Sequence, residues 1–203
     1  MPRDKTDTHM RVLEAARTKF LECGYENASI REIASLAGIT SAGLYRHCKD
    51  KEDLFAQVVS PAVEAIHDWL KDHIKKSYAY MEQQDVEGLN SQNEVDMVRQ
   101  VMLPYRKECI LLMSKSAGTR YEHFIRDLVC EHEEKMWEGL QDIAAYGFQV
   151  KTIPKEDMHV LITAYVTALF EPLIQDYSDE EVLHYLDLVE AFFMPGWCSI
   201  LGI

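Results

Sequence analysis

Residues 29–47, "SIREIASLAGITSAGLYRH", constrain the fold more than any other stretch of the chain. Ile30, Ile33, Ala34 and Ala37 recur with the period of one helical face, and the pattern breaks at Gly38. Glycine permits the left-handed backbone of a tight turn, and Thr40 stands ready as the N-cap of a further short helix over about Ser41 to His47. That helix is too short and too polar to exist for packing alone, and Leu44 meets most of its inward demand. Two helices of about two turns joined at "AGIT" form a helix-turn-helix, in which the start of the second helix enters the DNA major groove.

The flanks fit the same reading. A first helix over Thr8 to Cys23 carries Val12, Leu13, Ala16, Phe20 and Leu21 as one apolar stripe and stops at Gly24. Ser29 and Glu32 have the spacing of a capping box for the second helix. Asp50 can cap a long fourth helix over about 50–78, with Glu52 and Asp53 at its positive end. Pro61 predicts a kink within it, and no Gly/Ser linker separates the halves of the chain.

Charge divides the chain in the same place. Residues 1–55 hold nine Lys/Arg and nine Asp/Glu, so the whole formal charge of −13 lies in the remainder. A neutral N-terminal part can approach a polyanion that the acidic remainder would repel. The expected organisation is a helix-turn-helix domain over 1–55 and a second domain over 56–203, with the boundary inside the fourth helix.

The small residues Ser41, Ala42 and Gly43 let the backbone approach base edges, and Ser41 can donate to bases or phosphate. Arg46 can make a bidentate contact with guanine or neutralise a phosphate. Tyr45 and Lys51 suit phosphate contact, though Tyr45 also reads as a packed aromatic, and His47 reads equally as a DNA contact or a surface residue.

Beyond residue 80, "MEQQDVEGLNSQNE" reads as a loop, followed by helical segments near 94–103, 104–116 and 119–146. Two apolar helices close the chain, the last opened by a second capping box at Ser178 and Glu181. Leu161, Tyr165, Leu169 and Leu173 form a row on the first, and Val182, Leu186, Val189 and Phe193 a row on the second. Helices apolar over so wide an arc need cover on more than one side; packing within the chain can cover one side and a partner subunit another, and these rows are the expected dimer interface. Met102, Tyr105, Met113, Phe124, Trp137 and Tyr165 are candidates for an adaptable apolar pocket, against a reading in which they are ordinary core.

Several classes are disfavoured. The five cysteines are scattered without a C-x-x-C pair, as in a reducing cytoplasm, and Cys48 reads as a structural thiol with no resolving partner. No run approaches the ~18 uninterrupted apolar residues of a membrane span, and the polar N-terminus is unlike a signal peptide. The eight histidines form no ligand set of usual spacing, so no metal or cofactor is expected. No phosphate loop, nucleophile elbow or zinc-protease motif suggests an enzyme.

From Met10 to Leu54 the chain resembles the TetR family of bacterial transcriptional regulators, through "F-x-x-x-G-Y", "S-I-R-E-I-A", "A-G-I", "L-Y" and "K-x-K-E-x-L". Cys48 departs from the pattern, since a bulky apolar residue usually follows the tyrosine there. The resemblance implies an all-α fold, with a three-helix DNA-binding domain joined by the fourth helix to a ligand-binding and dimerisation domain. It places Ser29 and Arg31 at backbone or flanking-base contacts, and Thr40, Ser41, Gly43, Tyr45, Arg46, His47 and Lys51 at recognition and phosphate positions. The implied function is that of a cytoplasmic homodimeric repressor on near-palindromic DNA, released by a small-molecule effector. The alternative keeps the DNA-binding dimer and puts a protein partner in the effector's place.

Overall fold

The computed structural model describes residues 5–91, 93–147, 149–175 and 177–202, and every regular element among them is helical. The chain forms two compact units. One takes the chain up to Glu64 together with Tyr105–Phe124, and the other takes Ala65–Pro104 and the chain from Ile125 onward.

The first unit opens with α1 (Lys5–Asn27), which breaks at Gly24, where φ is +76°. It continues through α2 (Ile30–Leu36), α3 (Ser41–Leu44) and the start of α4 (Lys51–Gln83). Val12, Ala16, Phe20, Ile33, Leu44 and Phe55 have essentially no exposure and form its centre. The rings of Phe20 and Phe55 meet edge-on at 5.1 Å, a favoured aromatic geometry. Leu44 is the inward anchor of α3, and full burial of such a side chain stabilises by about 1.5–3 kcal/mol.

Two local expectations need correction. Ser29 is the N-cap of α2, but its side chain accepts no capping bond, so the capping box expected with Glu32 does not form. The helix α4 runs on through Pro61 as a single element to Gln83, beyond the expected end.

A third departure concerns α7 (Arg106–Ser114), a segment expected in the second domain. Leu111 and Leu112 belong to the same core as Phe20 and Leu44. The Tyr25 amide donates to the Lys115 carbonyl at 2.9 Å, and Arg17 pairs with the buried Glu108 at 2.7 Å. This segment therefore braces α1 from behind.

The second unit contains the rest of α4, α5 (Val86–Asn90), α6 (Val95–Met97), α8 (Phe124–Ala145), α9 (Lys155–Ile174) and α10 (Asp179–Leu201). The short helix α5 lies in the expected loop, capped by Asp85, whose side chain accepts from the Gly88 amide. A π-helical turn over Val98–Met102 follows α6, closed by the Leu103 amide on the Val98 carbonyl at 2.8 Å just before Pro104. The Ser178–Glu181 capping box of α10 is fully formed.

By length and composition α9 could cross a membrane. Within the unit, however, Met158, Ile162, Tyr165, Val166, Leu169 and Leu173 are buried, as in a core helix. Leu186 and Val189 of α10 are buried too, so the rows expected at a dimer interface mostly pack inside the unit. The exposed apolar residues lie on other rows: Val160 and Ile174 on α9, and Leu188 and Phe192 on α10.

Candidate nucleic-acid interface and buried cavity

The turn between α2 and α3 is built by backbone bonds. Gly38 sits at φ +69°, its amide donates to the Ser35 carbonyl at 3.0 Å, and the Ile39 amide donates to the Ala34 carbonyl at 3.0 Å. Thr40 caps α3 by accepting from the Gly43 amide at 3.1 Å. A Cβ on Gly43 would stand 3.3 Å from the Thr40 hydroxyl, so the absence of a side chain protects that cap. The α3 helix ends at Leu44, and the chain continues as a turn through His47, shorter than the helix expected.

This framework leaves one polar surface open. Arg31, Thr40, Tyr45 and Arg46 are exposed, while Ser29, Ser41, Gly43 and His47 are half-buried. Tyr45 is 53% exposed, which disposes of the reading that it is a packed aromatic. The His47 ring stacks on His9 of α1, with centroids 5.6 Å apart. His9 therefore joins this surface, although no spacing in the chain links it to His47.

The acidic residues beside this surface are occupied. The Asp53 amide donates to Asp50 at 2.7 Å, the Lys49 amide donates to Asp53 at 2.8 Å, and the Arg120 amide donates to Glu52 at 3.1 Å. Their negative charge serves helix starts and turns rather than opposing Arg46. Lys51 does not face outward as expected. Its ammonium donates to the carbonyls of Tyr25, Glu26 and Ala28 at 2.8, 3.1 and 3.3 Å. Lys49, which sequence reasoning passed over, is the exposed lysine in this segment.

Cys48 is 5% exposed and sits in the core where a larger residue was expected. Burial, reinforced by Asp53 and Asp50, pushes its thiol up to about 11, so it is protonated at neutral pH.

The second unit holds a partly open cavity of about 400 Å³, walled largely by aliphatic and aromatic side chains from α4, α8, α9 and α10. Its size suits a small organic molecule. Of the six expected pocket residues, only Tyr165 lines it. Met102 is fully buried in the same unit, Trp137 lies on α8 outside the lining, and Tyr105, Met113 and Phe124 belong to the first unit. Periodicity could not separate these cases, because a core residue and a pocket residue share the same inward face.

A polar group is set into this apolar wall. The Tyr165 hydroxyl donates to Glu94 Oε2 at 3.1 Å, while the Nε2 atoms of His132 and His73 stand 3.5 and 3.8 Å from Glu94 Oε1. His73 also stacks on Trp69 with centroids 4.6 Å apart. Burial is the main cause of its lowered pKa and favours the neutral ring, although Glu94 pulls the other way. Among the described residues no group of three or more His, Cys, Asp or Glu is placed to hold a metal ion.

Residues 12–58 match the family model of bacterial regulatory proteins, tetR family. The chain is 38% identical over 52 residues to the HTH-type transcriptional regulator AcrR of Shigella flexneri, covering 26% of this chain and 24% of that protein. It is 36% identical over 59 residues to the HTH-type transcriptional repressor BepR of Brucella suis, covering 29% of this chain and 28% of that protein. The chain thus spans about a quarter of the length of these curated relatives. Native NalD of Pseudomonas aeruginosa, the secondary repressor of the MexAB-OprM multidrug efflux pump, superposes with a TM-score of 0.62 over 98% of both chains. At 18% identity that likeness is one of fold.

Proposed function

We propose that this chain, whose N-terminal domain belongs to the tetR family of bacterial regulatory proteins, is a homodimeric transcriptional repressor released from DNA by a small molecule. The observation that carries the reading is the surface around α3. Exposed Tyr45 and Arg46 stand in the turn that directly follows α3, which Leu44 anchors, and the neighbouring acids are held in hydrogen bonds of the fold. In the bound state the start of α3 lies in the major groove, Arg46 reads a guanine edge, and Tyr45 and Lys49 hold phosphates. The repressor sense is supported by BepR and NalD, both named as repressors.

Two copies associate through the exposed apolar rows of α9 and α10, with Phe192 and Val160, 77% and 65% exposed, among the residues covered. Two-fold symmetry then presents two α3 helices to half-sites about 34–36 Å apart on a near-palindromic operator. The cavity of the second unit is the effector site. A ligand that favours the state with the wrong half-site spacing needs a coupling of only ~1–3 kcal/mol to weaken DNA binding ~5–150-fold. The helix α4 contributes to both units and carries His73 and Tyr78 of the cavity wall, which makes it the natural lever. A concave, largely apolar cavity of this size favours a small ligand over a protein partner as the signal.

Selection from a random duplex library by the purified chain tests this reading. A two-fold-symmetric element, bound with an affinity that falls steeply with salt, is expected, and Tyr45→Ala or Arg46→Ala should abolish the selection. Recovery of no preferred sequence would exclude a sequence-specific regulator.

A further inference from the structure

We propose that the loop between α7 and α8 is a second phosphate-contacting element, in which Arg120 binds the DNA backbone beside the contacts made by the helix-turn-helix. The proposal rests on the reading of the chain as a DNA-binding regulator and extends its interface beyond the first four helices.

Charge sets this segment apart. Residues 105–124 fold into the first unit from a distant part of the sequence. They hold Arg106, Lys107, Lys115 and Arg120 against Glu108 and Glu122, a net charge of +2 in a chain of −13. The first 55 residues sum to zero, so this insertion brings positive charge to the unit that carries α3.

The loop is fastened at each turn. Gly118 takes φ +79°, and a Cβ on it would stand 3.3 Å from Glu26 Cγ at the end of α1. The Thr119 hydroxyl donates to the Ser116 carbonyl at 2.7 Å and accepts from the Tyr121 amide at 3.0 Å. The Arg120 amide donates to Glu52 at the start of α4, and the neighbouring Lys51 donates to the Ala28 carbonyl. Ala28 directly precedes Ser29 and Arg31, the expected backbone-contact positions. The loop, the start of α4 and the entry to α2 are thereby joined.

The Arg120 side chain takes no part in this fastening. It is exposed, its guanidinium lies 5.0 Å from the centre of the Tyr121 ring, and it donates to the Tyr121 hydroxyl at 2.9 Å. Tyr121 in turn packs on the core, its ring 6.1 Å from that of Phe55. Among the described residues no carboxylate forms an ion pair with Arg120. Glu52 and Asp53 act on it through space, but Glu52 accepts the Arg120 amide, and Asp53 accepts from the Lys49 amide and from Gln57. A guanidinium laid on a core-anchored ring has little freedom left to lose, and its planar fork matches a phosphate. Because the loop flanks α4 and the entry to α2 rather than α3, the contact positions the protein and reads no base.

Titrations of the selected duplex and a scrambled one across a range of salt test the contact. Arg120→Gln should weaken binding about threefold to tenfold on both duplexes and reduce the salt slope by about one per protomer. The variant should keep its Tm, because the amide and not the side chain ties the loop to Glu52. Arg120→Lys keeps the charge without the fork and should restore the slope. Lys107→Gln removes an exposed charge from α7 of the same unit and should change neither affinity nor slope. Ethylation interference should mark one phosphate per half-site whose modification weakens the parent chain but not Arg120→Gln. An unchanged slope in Arg120→Gln, an equal loss in Lys107→Gln, or the absence of such a phosphate overturns the contact and leaves the regulator reading standing. Failure of the parent chain to bind a preferred duplex overturns both.

Discussion

The Lys51 ammonium donates to the Tyr25 carbonyl at 2.8 Å and lies 4.4 Å from the centre of the Tyr25 ring. With the further bonds to Glu26 and Ala28, its ammonium is directed at carbonyls at the end of α1 and just beyond it. Lys51 thus closes the helix whose continuation is interrupted at Gly24. Replacing it by methionine should lower unfolding stability by about 1–3 kcal/mol in chemical denaturation. The salt dependence of DNA binding should not change. Lys49→Met should do the reverse, leaving stability within about 0.5 kcal/mol and reducing the salt slope by about one per protomer.

The closing helices give a second contrast, between Leu186 and Phe192. Leu186 is fully buried in the unit, and Leu186→Ala should cost about 2–5 kcal/mol of stability. Phe192→Glu places a charge on an exposed row and should leave the helical signal intact while converting dimer to monomer in sedimentation equilibrium. A Phe192→Glu protein that remains dimeric would move the interface elsewhere.

Thiol reactivity follows from burial. Cys130 is exposed, whereas burial holds the Cys48 thiol at about 11 and, with Glu108 beside it, the Cys109 thiol at about 12. In the native protein iodoacetamide should label Cys130 readily, and Cys48 and Cys109 only after denaturation. Mild oxidation should therefore leave DNA binding unchanged.

His73 gives a dependence on pH. Burial lowers its pKa below 6.5, with His132 and Lys76 acting in the same sense and Glu94 and Asp96 opposing them. The native state resists a proton that the unfolded chain accepts. The stability that His73 contributes is complete above the unfolded value and is lost as pH falls through that value towards the lower, folded one. The Tm should thus fall between about pH 7.5 and 5.5, and His73→Gln should flatten that fall.

Much of the first unit was legible because its residues act locally. Phe20 and Leu44 occupy periodic positions, Thr40 precedes its helix, and Gly38 marks a turn that only a positive φ can make. Lys51 was misread because its partners lie 23 to 26 residues earlier in the chain, and an outward lysine looks the same in sequence. The cavity was hidden for a related reason. Glu94, His132 and Tyr165 come from three separate segments, and no spacing links them. On α9 and α10 both faces are apolar, and the more strongly apolar rows were taken up by the unit's own core. The rows left outside mix Val160 and Ile174 with threonine, and Phe192 with alanine, a weaker signal in sequence.

Hydroxyl-radical footprinting on DNA carrying the selected element tests the central claim most directly, because it reads the geometry of the bound protein. Two equivalent protected patches about one helical turn apart are expected, lost on Arg46→Ala and weakened when the cavity is filled. A single asymmetric patch, or protection that persists unchanged in the Arg46→Ala protein, would contradict the account.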